Sequence, residues 1–265
     1  MSGMILLNEG QAKADAGKDV MVNLNRLMTE MKAKFITETG IDYVAMRASP
    51  VFAEYLDTAR TLKSFDSAAL PEPERKAFYI NLYNCFTMHV LAIQEDNAVS
   101  PLKIEGMWTK YAYDVGGHTL TLDEIEHGVL RCNRGHPSAG KPAFGAGDAR
   151  TALALTEFDA RVHFALNCGA KSCPPVRIYQ AEKLERQLGM ASRNFCSQSV
   201  QLDSDGKFHL SKLLLWYTRD FGENKVEALK ALAPYLSDEK LIEKIASARE
   251  DDILFDDYDW SNNSS

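Results

Sequence analysis

The stretch Glu74-Arg75-Lys76-Ala77-Phe78-Tyr79-Ile80-Asn81-Leu82-Tyr83-Asn84-Cys85-Phe86-Thr87-Met88-His89-Val90-Leu91-Ala92-Ile93-Gln94 decides the architecture. Pro71 and Pro73 stand just ahead of it, where a first turn tolerates a residue without an N–H, so a helix is expected over about Glu74 to Gln94. On the wheel Phe78, Leu82, Phe86 and Ile93 form one stripe, while Tyr79, Ile80, Tyr83, Val90 and Leu91 cover much of the remainder. A helix apolar nearly all round belongs in the middle of the molecule. Asn81 and Asn84 then sit among apolar neighbours, where an unpartnered amide costs about 1–3 kcal/mol. Each must be bonded to something specific, either backbone groups of adjacent loops or the contents of a pocket.

Working outward, Val22, Leu24, Leu27, Met28 and Met31 recur at helical spacing, and a second helical stretch runs from Val51 to Leu62. Residues 1–18, rich in Gly, Ala and Lys, read as a flexible N-terminal arm. Tyr111 to Val115, Gly116-Gly117 and His118 to Leu120 spell a hairpin with a glycine turn. Thr121-Leu122-Asp123-Glu124 fits a capping box opening a helix to about Arg131, with Leu122, Ile125 and Val129 facing the core, Glu126 at their flank, and Glu124, His127 and Arg131 pointing away. Cys132 to Asp148 is a long loop, and Arg161 to Asn167 reads as a buried strand. Next come a helix over 181–196, a hairpin from Val200 to Leu210 about Asp205-Gly206, a helix capped by Ser211, and two further helices up to about Ala248. No internal repeat or linker interrupts the pattern. The expectation is an α+β fold, a mostly helical single domain over 19–265 with short antiparallel β-hairpins packed around the central helix.

Composition narrows the function classes. Of the 265 residues 45% are hydrophobic, enough for a sizeable core, and the net charge of −7 gives no long-range attraction to phosphate backbones or anionic lipid. Neither nucleic acid nor membrane is expected as a partner. No apolar run reaches the roughly 20 residues of a membrane span, and the first residues lack a signal-peptide pattern, so a cytoplasmic location is expected. Five cysteines in a chain of this size do not suggest a disulfide framework, and the odd count leaves at least one outside any bridge. With no Cys-x-x-Cys and no His-x-x-x-His pair, no cofactor is expected; zinc held by Cys168 and Cys173 with His127 or His163 is the alternative.

Chemistry concentrates in Val162-His163-Phe164-Ala165-Leu166-Asn167-Cys168-Gly169-Ala170-Lys171-Ser172-Cys173-Pro174-Pro175, where an apolar run stops in two thiols, a hydroxyl, an amide and a glycine. A thiol, an imidazole and a carboxylate or amide are the parts of cysteine nucleophile catalysis. Cys168 is the expected nucleophile, His127 the base, and Glu126, Asn81 or Asn84 the orienting group, with amides around Gly169 and Ala170 as oxyanion donors. Asn81, Asn84, Arg131, His163, Ser172 and Cys173 are the expected binding residues. This reads as a thiol-dependent hydrolase or acyl transferase acting on a small molecule or peptide. Against it stand a non-catalytic interaction domain with a buried polar network and a protein partner, and a Cys/His metal-binding protein. Each residue also has a structural role open to it: Cys168 as a small buried hydrophobe, His127 as a solvated histidine, His163 as a hydrogen-bonded core residue.

Asn81-Leu82-Tyr83-Asn84, Leu122-Asp123-Glu124-Ile125-Glu126-His127-Gly128-Val129-Leu130-Arg131, the block from His163 to Pro174, and Trp216-Tyr217 with Asp220-Phe221 and Tyr258-Asp259-Trp260-Ser261 together resemble the domain of unknown function 547 family over about 74–262. The resemblance implies no general activity. It implies a domain of bacterial and eukaryotic proteins that in plants stands beside coiled-coil or signalling modules. Plant relatives place Ser at the position matching Cys173, which sets Cys173 below Cys168 as a nucleophile. The ending Trp260-Ser261-Asn262-Asn263 departs from the family's Trp-Ser-Leu-Asn.

Overall fold

The computed structural model describes residues 3–11 and 19–265, and the fold is α+β, mostly helical with three small sheets among the described residues. Two compact units are present: Met1–Phe158 with Leu166–Leu184 and Trp260–Ser265, and Asp159–Ala165 with Glu185–Asp259.

In the first unit the central helix spans Glu72–Ala92, and every residue from Ala77 to Ala92 is buried. Glu72 and Glu74 lie in its first turn, where the exposed amide dipoles favour a carboxylate. Val20–Phe35 and Pro50–Thr61 form helices beside it; Asp19 caps the first through the Val22 amide, and Ser49 caps the second through that of Phe52. Tyr111–Val115 and His118–Thr121 make the expected antiparallel hairpin, with Gly116 and Gly117 both at positive φ. The Phe86 ring stacks on Tyr113, centroids 4.4 Å apart. Tyr113 in turn bonds Tyr55 and His89 through its hydroxyl, and burial pushes His89 down to about 3, so its ring is neutral.

The expected N-terminal arm is docked where it is described. Ile5–Leu6 pairs in parallel with Tyr111–Ala112, and the buried Asn8 donates to the carbonyls of Ala59 and Asp114 while accepting from the Asp114 amide. Three satisfied bonds fix a residue that composition alone assigns to solvent. The rest of the expected arm, 1–2 and 12–18, lies outside the described residues.

The second unit packs Phe164, Phe195, Leu210, Leu229 and Ile253 into its own core. Its sheet is ordered Val200–Leu202, Phe208–Ser211, Ile253–Asp256: the expected hairpin, plus a parallel third strand. The strand expected over Arg161 to Asn167 does not form. Ala160–Phe164 is instead a short 3-10 helix capped by the Asp159 carboxylate on the Arg161 amide. A short apolar run carries no period that separates a buried strand from a buried turn of helix, and the capping aspartate decides it.

Among the described residues no helix is long and apolar enough to cross a membrane.

Candidate active site

The capping box forms as expected: the Glu124 amide donates to Thr121 Oγ1 (3.3 Å) and the Thr121 amide to Glu124 Oε2 (2.9 Å). The chain then enters a π-helix, Glu124–Leu130, in which the Arg131 amide reaches back five residues to the Glu126 carbonyl. The wider turn redistributes side chains about the axis, a deformation that recurs at functional sites. Glu126, His127 and Arg131 are all buried, at 8%, 2% and 4% exposure, which corrects the outward direction that an α-helical wheel assigns to His127 and Arg131. The long loop covers them. Arg131 Nη1 donates to the Gly135 carbonyl, and the His136 ring stands edge-on to His127 with centroids 5.0 Å apart.

Gly128 holds that loop in place. The Phe144 ring packs where a Cβ on Gly128 would stand, 2.3 Å from its nearest carbon, and Asn133 pins Phe144 by accepting from its amide and donating to its carbonyl. Gly128→Ala is expected to lower stability by about 1–3 kcal/mol in urea unfolding, since a buried ring cannot yield that distance without repacking; an unchanged midpoint would contradict the packing.

His127 Nδ1 lies 3.0 Å from Arg131 Nη1. A guanidinium has only donors, so Nδ1 accepts, and in the neutral ring the proton sits on Nε2. Nε2 faces Asp123 Oδ1 at 3.8 Å, and Glu126 Oε1 lies 3.9 Å from Nδ1. Burial, with the neighbouring Glu126 and Glu124 carboxylates, pushes Asp123 up to about 7. Sequence reasoning passes over Asp123; the signal is three carboxylates within four positions on an otherwise apolar segment, since crowded like charges hold protons. An unfolded aspartate releases its proton near pH ~4. The folded chain therefore loses stability as pH rises from about 4 to about 7, by on the order of 2 kcal/mol once solvent screening at a side chain 32% exposed is allowed for. Asp123→Asn is expected to flatten that decline and to be more stable than wild type at pH 8, measured by urea unfolding across the range. A parallel decline in both proteins would refute the assignment.

Asn84 Oδ1 accepts the Asn167 amide (2.8 Å), pegging the cysteine loop to the central helix. Asn167 then spans the loop, its Nδ2 donating to the Pro174 carbonyl (2.7 Å) and its Oδ1 accepting from the Gly169 amide (2.9 Å). Gly169 sits at φ +88°, and a Cβ there would come within 2.4 Å of Leu91 Cδ1. Asn81 goes elsewhere, exchanging two bonds with the Tyr179 backbone and one with Asn25. Both asparagines thus bond loop backbone, one at each end of the stretch 167–179.

Cys168 and Cys173 are half-buried in this loop, as is Ser172, and Lys171 is exposed. The Cys168 amide donates to Cys173 Sγ (3.2 Å). The hydrogen bond to Cys173, then burial, the Cys173 charge and Glu126 push the Cys168 thiol well above its ordinary range, while the Ala170 amide pulls the other way. Cys168 is therefore a protonated thiol at rest. The two amides expected as oxyanion donors are engaged, Gly169 on Asn167 and Ala170 on Cys168 itself. The Glu126 carboxylate faces His127, and its charge is the smallest of the influences that raise the Cys168 thiol. His163 belongs to the second unit, where it is bonded to Asp220. Among the described residues no three His, Cys, Asp or Glu side chains form a group that could hold a metal ion.

Residues 67–196 match the family model described as protein of unknown function, DUF547. The chain carries a DUF547 domain. Its matched stretch contains Asn81, Asn84, Glu126, His127, Arg131, Cys168 and Cys173, and stops before the Trp216-Tyr217 and Tyr258 to Ser261 blocks. No curated protein and no solved structure matches the chain.

Proposed function

We propose that this chain is a thiol-dependent hydrolase or acyl transferase with Cys168 as nucleophile and Glu126 and His127 as its acid–base partners. What supports it is a buried carboxylate, Glu126, 3.9 Å from the His127 imidazole on the π-helix, together with a half-buried Cys168 held in a hydrogen-bonded loop. Glu126 takes the role of proton acceptor rather than orienter, because Arg131 already occupies His127 Nδ1. Cys168 Sγ attacks an acyl carbon as its proton passes to Glu126; the leaving group departs with a proton, and water or a second nucleophile resolves the thioester. A resting thiol rather than thiolate makes the base essential, so Glu126→Gln reduces the acylation rate by about 10²–10⁴-fold.

The test is a panel of activated esters and thioesters, with acyl adducts located by mass spectrometry. Cys168 carries the adduct in the wild type, Cys168→Ser removes adduct and turnover while circular dichroism stays native, and Cys173→Ser retains both. Turnover by Cys168→Ser at the wild-type rate overturns the nucleophile. A complete absence of adducts across the panel favours the interaction-domain reading, in which the same network is structural.

A further inference from the structure

We propose that Cys168 and Cys173 are a dithiol that closes to a disulfide by exchange with a low-molecular-weight disulfide, and reopens with a low-molecular-weight thiol. All five cysteines are reduced in the structure, but only these two are placed against each other. The Cys168 amide donates to Cys173 Sγ at 3.2 Å, and the Cys173 thiol is the largest influence on that of Cys168. A disulfide needs Cα atoms about 4.4–6.8 Å apart. The loop is already drawn together: Asn167 Nδ2 bonds the Pro174 carbonyl across its base at 2.7 Å, and the Cys173 amide turns back onto the Ala170 carbonyl at 3.1 Å. Asn84 anchors one end to the central helix. The chain entropy of closing this short loop is therefore spent in folding, and the folded protein favours the bridge over two separate adducts.

The electrons balance without any bound cofactor. Cys173, whose sulfur accepts the Cys168 amide, attacks one sulfur of the reagent disulfide; that S–S bond breaks and the first thiolate leaves, taking the Cys173 proton. Cys168 Sγ then attacks the Cys173 sulfur of the mixed disulfide, the second thiolate leaves with the Cys168 proton, and the protein S–S bond is complete. Two protein thiols are oxidised and one reagent disulfide is reduced to two thiols. The exposed Lys171 places the loop at the surface, where the reagent reaches it, whereas Cys85 and Cys196 are buried.

This inference is independent of the hydrolase proposal, because its readout is a cross-link and not turnover. The full chain is equilibrated with mixtures of oxidised and reduced glutathione, acid-quenched, alkylated and digested with trypsin. Cleavage after Arg161, Lys171 and Arg177 separates the two cysteines into peptides 162–171 and 172–177, so a bridge appears as a linked pair. The expected result is that linked pair, removed by dithiothreitol, and half-formed at a glutathione ratio at least about tenfold more reducing than for the chain unfolded in urea. Cys173→Ser yields no linked pair and, where it reacts, a glutathione adduct on Cys168. Separate glutathione adducts on both cysteines of one native molecule, or a linked pair no more favourable in the native chain than in urea, would overturn the proposal. The wild-type comparison decides it even where the serine variant does not fold.

Discussion

Asp220→Ala is expected to destabilise the second unit by about 2–4 kcal/mol, for the loss of a buried hydrogen bond and the cavity left behind. Asp220 Oδ2 bonds His163 Nε2 at 2.7 Å, and the two side chains are 2% and 1% exposed. Tyr217 lies against the imidazole with ring centroids 3.9 Å apart, and Phe221 closes another side at 5.8 Å. With the carboxylate gone, the bond at Nε2 is lost and a cavity opens beside the ring, so the two costs add. Asp220→Asn keeps an acceptor oxygen and is expected to lose only about 1–2 kcal/mol. Urea unfolding of the pair of variants measures both; a loss below about 1 kcal/mol for the alanine variant is incompatible with this pairing.

Asn84→Ala is expected to cost about 2–3 kcal/mol and to loosen the cysteine loop. Asn84 is fully buried and its Oδ1 is the acceptor for the Asn167 amide. Truncation leaves that amide without this acceptor in an interior that water does not reach, and releases the residue from which the bonds to Pro174 and Gly169 radiate. Hydrogen exchange at the amides of Asn167 and Gly169 should accelerate well beyond that of the Tyr111–Val115 strand. Exchange rising equally in both places would mean that the side chain supports the whole unit rather than the loop.

Local patterns are legible where one physical rule acts alone. The all-round apolar wheel locates the central helix to within two residues at either end, 72–92 against the expected 74–94, because nothing but burial explains such a surface. Two hairpins come from glycine turns between alternating strands, and the Thr121–Glu124 box from its spacing. The misses require information that is not local. Ile5–Leu6 is a strand only because Tyr111–Ala112, over a hundred residues away, offers it a ladder. The extra residue per turn after Glu124 is invisible to a 3.6-residue wheel, which directs His127 and Arg131 to solvent and leaves Asp123 unnoticed. The need of Asn81 and Asn84 for partners is plain from their neighbours, yet a wheel cannot say that one reaches Tyr179 and the other Asn167.

The segment after Trp260 also sets an order in time. The Asn263 amide donates to the Gly169 carbonyl and its carbonyl accepts from the Ile41 amide, the Lys171 amide donates to the Ser261 carbonyl, and the Tyr43 hydroxyl donates to Asn263 Oδ1 at 2.7 Å. These bonds join residues 41–43 and 169–171 through a strip that is synthesised some ninety residues after the cysteine loop. Until 261–263 emerge, the backbone groups flanking Cys168 lack these partners, and the two thiols sit on an unfinished turn. Helices near the N-terminus satisfy their own amides as they are synthesised; this loop matures only after translation has passed it by some ninety residues, so pulse-labelled nascent chains should show its cysteines alkylating long after the central helix has become protease-resistant.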